Sequence, residues 1–104
     1  MNEEKIIGLL GLAQRAGCIA AGAMATERAL LSGRCKLLLI AVDTAPETQK
    51  RLESMTRQIN TPVFRVLTKQ QMGTAIGKSH KAAVAVTDNG FAGSLRRMVS
   101  PDSV

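Results

Sequence analysis

The sequence predicts an α/β fold: a single three-layer α/β/α sandwich with a small four-stranded sheet, predominantly parallel or mixed, covered by helices on both faces. Three observations predict it. Leu37 to Ala41, LLLIA, and Ala82 to Val86, AAVAV, are uninterrupted apolar runs of strand length, which asks for burial on both faces of a sheet. Segments with helical spacing alternate with strand-length runs along the chain. The 104 residues suffice to bury a core without disulfides or metal and leave no room for a second domain. The domain is expected over residues 1–99, with 100–104 as a loose tail.

From Glu3 to Ala16 the apolar positions Ile6, Leu9, Leu10 and Ala13 keep helical spacing, with Glu3 and Glu4 at the start and Arg15 at the end suiting the helix dipole, and Gly17 ends the element. Cys18 to Ala21 reads as a short extended piece. Gly22 then opens a helix over Ala23 to Leu31, whose small residues Ala23, Ala25 and Ala29 suit close packing on a sheet, and Ser32-Gly33 stops it. After the Leu37 run, Asp43-Thr44 is expected to cap a helix that Pro46 opens and that runs to about Ile59, with Leu52, Met55 and Ile59 facing inward. Val63 to Leu67 reads as a strand, Thr68 as the cap of a helix to about Ile76, and Asp88-Asn89-Gly90 as a turn. A last helix covers Phe91 to about Val99 with Phe91, Leu95 and Met98 inward and Arg96-Arg97 exposed.

The chain carries 14 Lys and Arg against 8 acids, a net charge of +6. Such an excess favours polyanionic partners, nucleic acid first, although a basic surface also serves solubility alone. With no Trp or Tyr and only Phe64 and Phe91, folds that stack single-stranded bases on aromatic rows are disfavoured. Binding would have to work by charge, backbone and shape. Charge interrupts every apolar stretch well short of the ~18 residues a membrane span needs. Cys18 and Cys35 are too few for a zinc site and read as small buried residues in a reducing cytoplasm.

Gly73 to Ser79, GTAIGKS, imitates a phosphate loop but has three residues between its glycines where four are required, and it ends a helix instead of opening one. Gly8 and Gly11 lie inside a helix without the spacing of a dinucleotide fingerprint, a pattern that suits close packing of another element. His80 is the single histidine, with Lys78, Ser79 and Lys81 around it. That neighbourhood supplies neither metal ligands nor a carboxylate partner, so a solvated loop histidine that donates to a polyanion fits better than a catalytic base. Asp43, Glu47, Asp88 and Glu27 form no acid/base pair. Neither an enzyme nor a cofactor or metal site is expected.

Arg28, Arg34 and Lys36 cluster around the Gly22 helix and the turn after it, and Lys78 and Lys81 mark a second basic loop. The two regions meet only if the start of that helix and the loop before Ala82 lie at the same end of the sheet. That juxtaposition is expected here. The helix start would then offer free N–H groups and a positive dipole end to phosphate, with Arg28 a turn and a half away. The plainer reading pairs Arg28 with Glu27 or solvent.

The run from Gly22 to Arg28, GAMATER, with Ser32-Gly33, Lys36 to Asp43, Pro62-Val63, Met72-Gly73, Ala75, Gly77 and Ala82 to Val86, resembles the ribosomal-protein family of the archaeal L-seven-Ae and eukaryotic L-thirty-e type, many of whose members bind RNA kink-turns. Leu9 to Gly17, LLGLAQRAG, and Thr87 to Ala92, TDNGFA, look most like its bacterial YlxQ branch. The family pattern after the glycine is a small residue, Asn, Glu, two variable positions and Lys. Gly22 and Ala23 match it and Arg28 keeps the charge, but Met24 stands for Asn and Ala25 for Glu. Phosphate attraction survives this change, whereas base-edge readout at that point does not, because Met and Ala offer no strong hydrogen-bonding group. The family's second contact, an apolar loop before the last strand, corresponds to Ser79, His80, Lys81, Ala82 and Ala83, here unusually basic.

The resemblance thus implies a non-enzymatic, cytoplasmic protein that binds structured RNA, ribosomal or ribosome-associated, through Gly22, Ala23, Met24, Ala25, Arg28, Lys36 and the Ser79 to Ala83 loop. DNA and membrane are not expected partners, and a monomer is favoured. The alternative is a protein-interaction or ribosome-assembly module on the same fold, with Met24 as a protein contact.

Overall fold

The computed structural model describes residues 2–99, so the tail expected at 100–104 lies outside the described residues. Helix α1 (Glu3–Arg15) starts where the Asn2 side-chain oxygen accepts from the Lys5 N–H at 3.1 Å, and it buries Ile6, Leu10 and Ala13. Strand β1 (Ile19–Ala21), helix α2 (Ala23–Leu31) and strand β2 (Leu37–Ile40) follow as the hydrophobic pattern predicts. Helix α3 (Pro46–Ile59), strand β3 (Val63–Arg65), helix α4 (Lys69–Ala75), strand β4 (Ala83–Val86) and helix α5 (Asn89–Val99) complete the described chain.

The sheet is mixed, in the order β1-β4-β2-β3. Strands β2 and β3 are parallel, and β4 runs antiparallel to both of its neighbours. Because β1, β2 and β3 all point one way, the β1-α2-β2 and β2-α3-β3 segments are crossovers. The last strand then slots between β1 and β2 in the opposite sense. This central placement explains why both β2 and β4 are buried at every position.

Alternation along these two strands divides the core into two layers. Leu37, Leu39, Val84 and Val86 pack with Ile6 and Leu10 of α1, Met72 of α4 and Leu95 of α5. Leu38, Ile40, Ala83 and Ala85 pack with Ala29 and Leu30 of α2 and Leu52 of α3. The face of β4 toward α2 is thus pure alanine and meets Ala29, so α2 can lie close to the sheet.

Three local expectations are corrected. Asp43 and Thr44 do not cap α3, which starts at Ala45 without a side-chain cap and has Pro46 in its first turn. Asp43 Oδ1 instead accepts from the Lys69 N–H at 2.8 Å, and the Thr44 hydroxyl donates to the Ala82 carbonyl at 2.9 Å. Ile59 keeps the helical stripe of Leu52 and Thr56 yet is exposed, because the last turn of α3 stands over an open groove. Asn89 and Gly90 belong to α5 itself, with the Asp88 carboxylate accepting from the Phe91 N–H at 2.9 Å. Cys35 is buried as expected, whereas Cys18 is half-buried.

Candidate nucleic-acid interface

Strands β1 and β2 run toward the end of the sheet at which β4 begins, since Ala21 pairs with Val84 and Ile40 with Ala83. The start of α2 and the loop before β4 therefore meet at that end. The Gly22 N–H donates to the Ala83 carbonyl at 2.8 Å, while the Ala82 carbonyl accepts from the Ala41 N–H at 2.8 Å and from Thr44. These bonds fix the loop between the β1-α2 and β2-α3 junctions.

Gly22 has φ 97° and ψ 158°, a backbone state that costs a side-chain-bearing residue of order 1–3 kcal/mol. Its missing side chain also matters, because a Cβ there would touch Cδ of Lys81 at 3.9 Å. The Lys81 stem thus passes over the glycine that starts α2. No side chain caps this helix, which leaves first-turn N–H groups without an intrahelical acceptor at its positive end.

The loop is held from its other side by α4. Lys81 N–H donates to the Lys69 carbonyl at 3.1 Å, and Lys78 N–H donates to the Gly73 carbonyl at 2.8 Å. Lys78, Ser79 and His80 are exposed, Lys81 and Ala82 half-buried, and Ala83 is buried with its side chain against α2. Ala83 therefore contributes its carbonyl to the architecture and no surface. On α2, Met24 is 69% exposed, Ala23 and Ala25 are half-buried, and Thr26 turns inward to donate to the Ala23 carbonyl at 2.8 Å.

Arg28 is exposed and enters no ion pair among the described residues, because Glu27 pairs with Arg51 of α3. The pairing of Arg28 with Glu27 considered from sequence is thereby excluded in this structure. Lys36 does not join the group. It precedes β2 at the far end of the sheet, where its N–H donates to the Val86 carbonyl at 2.8 Å, about 15 Å away by strand rise. Sequence reading missed two members of this end: Val42, 54% exposed just past β2, and Lys69, which the Asp43 and Lys81 bonds tie to the loop. Their signal was the position of Val42 at the end of an apolar run and of Lys69 behind a capping Thr, legible only once the strand order is known.

The arrangement is a shallow shelf of cations and open N–H groups suited to holding phosphate. Among the described residues no cluster of His, Cys, Asp or Glu could hold a metal ion, and no helix is long and apolar enough to cross a membrane.

The family model described as "Ribosomal protein L7Ae/L30e/S12e/Gadd45 family" matches residues 4–96. The chain is 34% identical over 87 residues to the "RNA-binding protein YlxQ" of Bacillus subtilis, covering 84% of this chain and 87% of the relative. A solved structure of a protein of unknown function from Bacillus halodurans superposes with a TM-score of 0.88 at 32% identity, covering 91% of this chain and 96% of that one. The 15.5kD RNA binding protein of Giardia lamblia superposes with a TM-score of 0.82 at 19% identity, covering 97% and 92%, and shares the fold. The motifs from Gly22 to Val86, the mixed sheet and these matches together make the chain a member of the ribosomal protein L7Ae/L30e/S12e/Gadd45 family, on its bacterial YlxQ-like side.

Proposed function

We propose that the chain binds structured RNA, non-enzymatically, through the shelf formed by Gly22, Ala23, Met24 and Ala25 at the α2 start and by Ser79, His80, Lys81 and the Ala82 backbone beside it, with Arg28 extending it from the last turn of α2, one helical turn beyond Met24. The observation that carries this reading is the Lys81 stem beside Gly22, its Cδ 3.9 Å from where a Gly22 Cβ would stand, next to an uncapped helix N-terminus. Both features favour phosphate oxygens. Membership in a ribosomal-protein family and similarity to a relative named for RNA binding support the same reading. The RNA is ribosomal or ribosome-associated, the setting is the cytoplasm, and the protein acts as a monomer without cofactor.

Kink-turn RNA is the finer proposal. With Met24 and Ala25 in place of polar residues, recognition of the kink rests on backbone shape and phosphate position and not on base edges. A second reading, a protein contact at this end, is favoured by the exposure of two large apolar side chains there, Met24 in the first turn of α2 and Val42 just past β2. Fluorescence anisotropy with a labelled kink-turn RNA and a matched duplex separates the two. The RNA reading expects binding that the Lys78→Ala/Lys81→Ala variant weakens, whereas equal affinity of that variant for both RNAs as for the natural chain removes the loop from the interface.

A further inference from the structure

The opposite end of the sheet carries a second unpartnered surface. Since β1, β2 and β3 are parallel in direction, α2 and α3 both run back toward that end and finish beside each other. Their last residues, Leu31 at 80% and Ile59 at 47% exposure, are large aliphatic side chains left in solvent. They flank a cleft of about 390 Å³ whose wall includes Cys35 and Pro62. Two further grooves, of about 360 and 190 Å³, open from the same Pro62 and bring in Arg57, Arg96 and Lys36. No acidic residue lines any of the three. Lys36, Arg57 and Arg96 are exposed and make no ion pair among the described residues.

Charge and apolar surface have to be explained together. The dipoles of α3 and α5 account for Arg57 and Arg96 in their last turns, but not for Lys36, which precedes a strand, nor for the convergence of all three from both layers of the sandwich on the grooves around Pro62. A nucleic-acid backbone would satisfy the cations and leave Leu31 and Ile59 in water, since phosphate and ribose offer no aliphatic group to bury. Exposed aliphatic side chains around a concave site rimmed by one sign of charge fit a peptide that seats an apolar anchor and flanks it with the opposite charge. We propose that this end docks an acidic segment of a protein partner, with an aliphatic side chain in the cleft between Leu31 and Ile59 and carboxylates on Lys36, Arg57 and Arg96. This surface lies at the other end of β2 from the Gly22 shelf, so its occupation is independent of RNA binding and compatible with it.

The test is a nuclear magnetic resonance titration of the full ¹⁵N-labelled chain with defined probes: a synthetic peptide of two leucines flanked on each side by three glutamates, the same peptide with serine for leucine, the same with glutamine for glutamate, and an RNA duplex. The first peptide is expected to shift the amides of Leu31, Ile59, Asn60 and Thr61 saturably and to leave Gly22 unmoved. Serine and glutamine versions should bind at least about fivefold more weakly, because each removes one of the two contributions. Leu31→Asp, at an exposed helix end where folding is undisturbed, should weaken the first peptide about tenfold by removing the anchor and adding a like charge. Arg57→Gln/Arg96→Gln, which removes two of the three cations without reversing charge, should also weaken it, by at least about threefold, with Gly22 still unmoved. The proposal is overturned if the first peptide shifts nothing at millimolar concentration, or if its serine and glutamine versions bind equally well. Shifts of these amides by the duplex alone would make this a nucleic-acid surface, and shifts on protein dilution without peptide would assign it to a second copy of the chain; either also overturns it.

Discussion

The carbonyl group of Ser79 occupies the space that a side chain on Gly73 would need: a Cβ there would overlap the Ser79 oxygen and stand 2.5 Å from its carbonyl carbon. The loop that carries Lys78, His80 and Lys81 thus folds back onto α4 only because residue 73 is glycine, and Lys78 N–H closes the turn on the Gly73 carbonyl at 2.8 Å. Of the two glycines of the phosphate-loop lookalike, Gly77, with nothing near its Cβ position, serves the turn through its φ of 72°, whereas Gly73 serves packing. Gly11 acts similarly for α1, where a Cβ would lie 3.1 Å from the Ala75 carbonyl oxygen.

Gly73→Ala should therefore destabilise the protein by about 1–3 kcal/mol, the usual cost of overpacking, and should weaken RNA binding through displacement of the loop. Gly8 provides the control, since it lies within α1 and a Cβ there meets nothing within 4 Å. Gly8→Ala should stabilise the protein by roughly 0.5–1 kcal/mol, as an exposed helix interior prefers Ala. Chemical denaturation of the two variants measures both signs, and a neutral Gly73→Ala would show that the loop can move away without cost.

The fold was legible because its main signals are local. Apolar runs of four or five residues marked β2 and β4, and helical spacing with Glu3-Glu4, Gly22, Pro46 and Thr68 marked helix starts close to where they occur. Sheet order was open between parallel and mixed, because β4 enters between β1 and β2 through pairings remote in sequence. The same remoteness hid the roles of Asp43, which bonds Lys69 across 26 positions, and of Thr44, which bonds Ala82 across 38. At the candidate interface the expected meeting of Gly22 with the Lys81 loop is present in the geometry, whereas Lys36 lies at the far end because α2 carries the chain back along the whole sheet. Proximity in sequence to Arg28 was a poor guide there.

Cys35 predicts a pH dependence. It is 7% exposed, and burial raises its thiol from the ordinary 9.0 to about 11, against smaller lowering by the Leu37 backbone bond and by Lys36. The folded protein therefore keeps this proton where the unfolded chain loses it. The stability concerned is fully present below pH 9.0 and is lost as pH rises toward about 11, at a slope of at most about 1.4 kcal/mol per pH unit. Melting curves between pH 8 and 10.5 should fall more steeply for the natural chain than for Cys35→Ala. Equal slopes would mean that the thiol titrates normally. At pH 8 the half-buried Cys18 should be alkylated well before Cys35.

Met24 and Ala25 carry a prediction about specificity. If the α2 start faces RNA and lacks only base-edge readout, Met24→Asn with Ala25→Glu should raise the ratio of affinities for a kink-turn and a matched duplex, each well-placed contact adding about 1–3 kcal/mol of discrimination. Total affinity is expected to fall at low salt, since the added carboxylate lies near phosphate. The ratio at fixed salt is the observable. A ratio already large in the natural chain would make Met24 and Ala25 harmless, and a ratio that stays near one in the double variant would favour the protein-contact reading of this end.

The salt dependence of RNA affinity tests the central claim most directly. Arg28 is exposed and outside any ion pair among the described residues, and Lys81 lies over the open start of α2. If each neutralises one phosphate, the slope of log K against log salt for a structured RNA should become shallower by about 0.7–0.9 for Arg28→Ala and by a similar amount for Lys81→Ala, with the two losses adding in the double variant. Lys50→Ala, on the exposed side of α3, should leave the slope unchanged. Slopes identical to that of the natural chain in the Arg28→Ala/Lys81→Ala variant would contradict an RNA interface at the Gly22 end of the sheet.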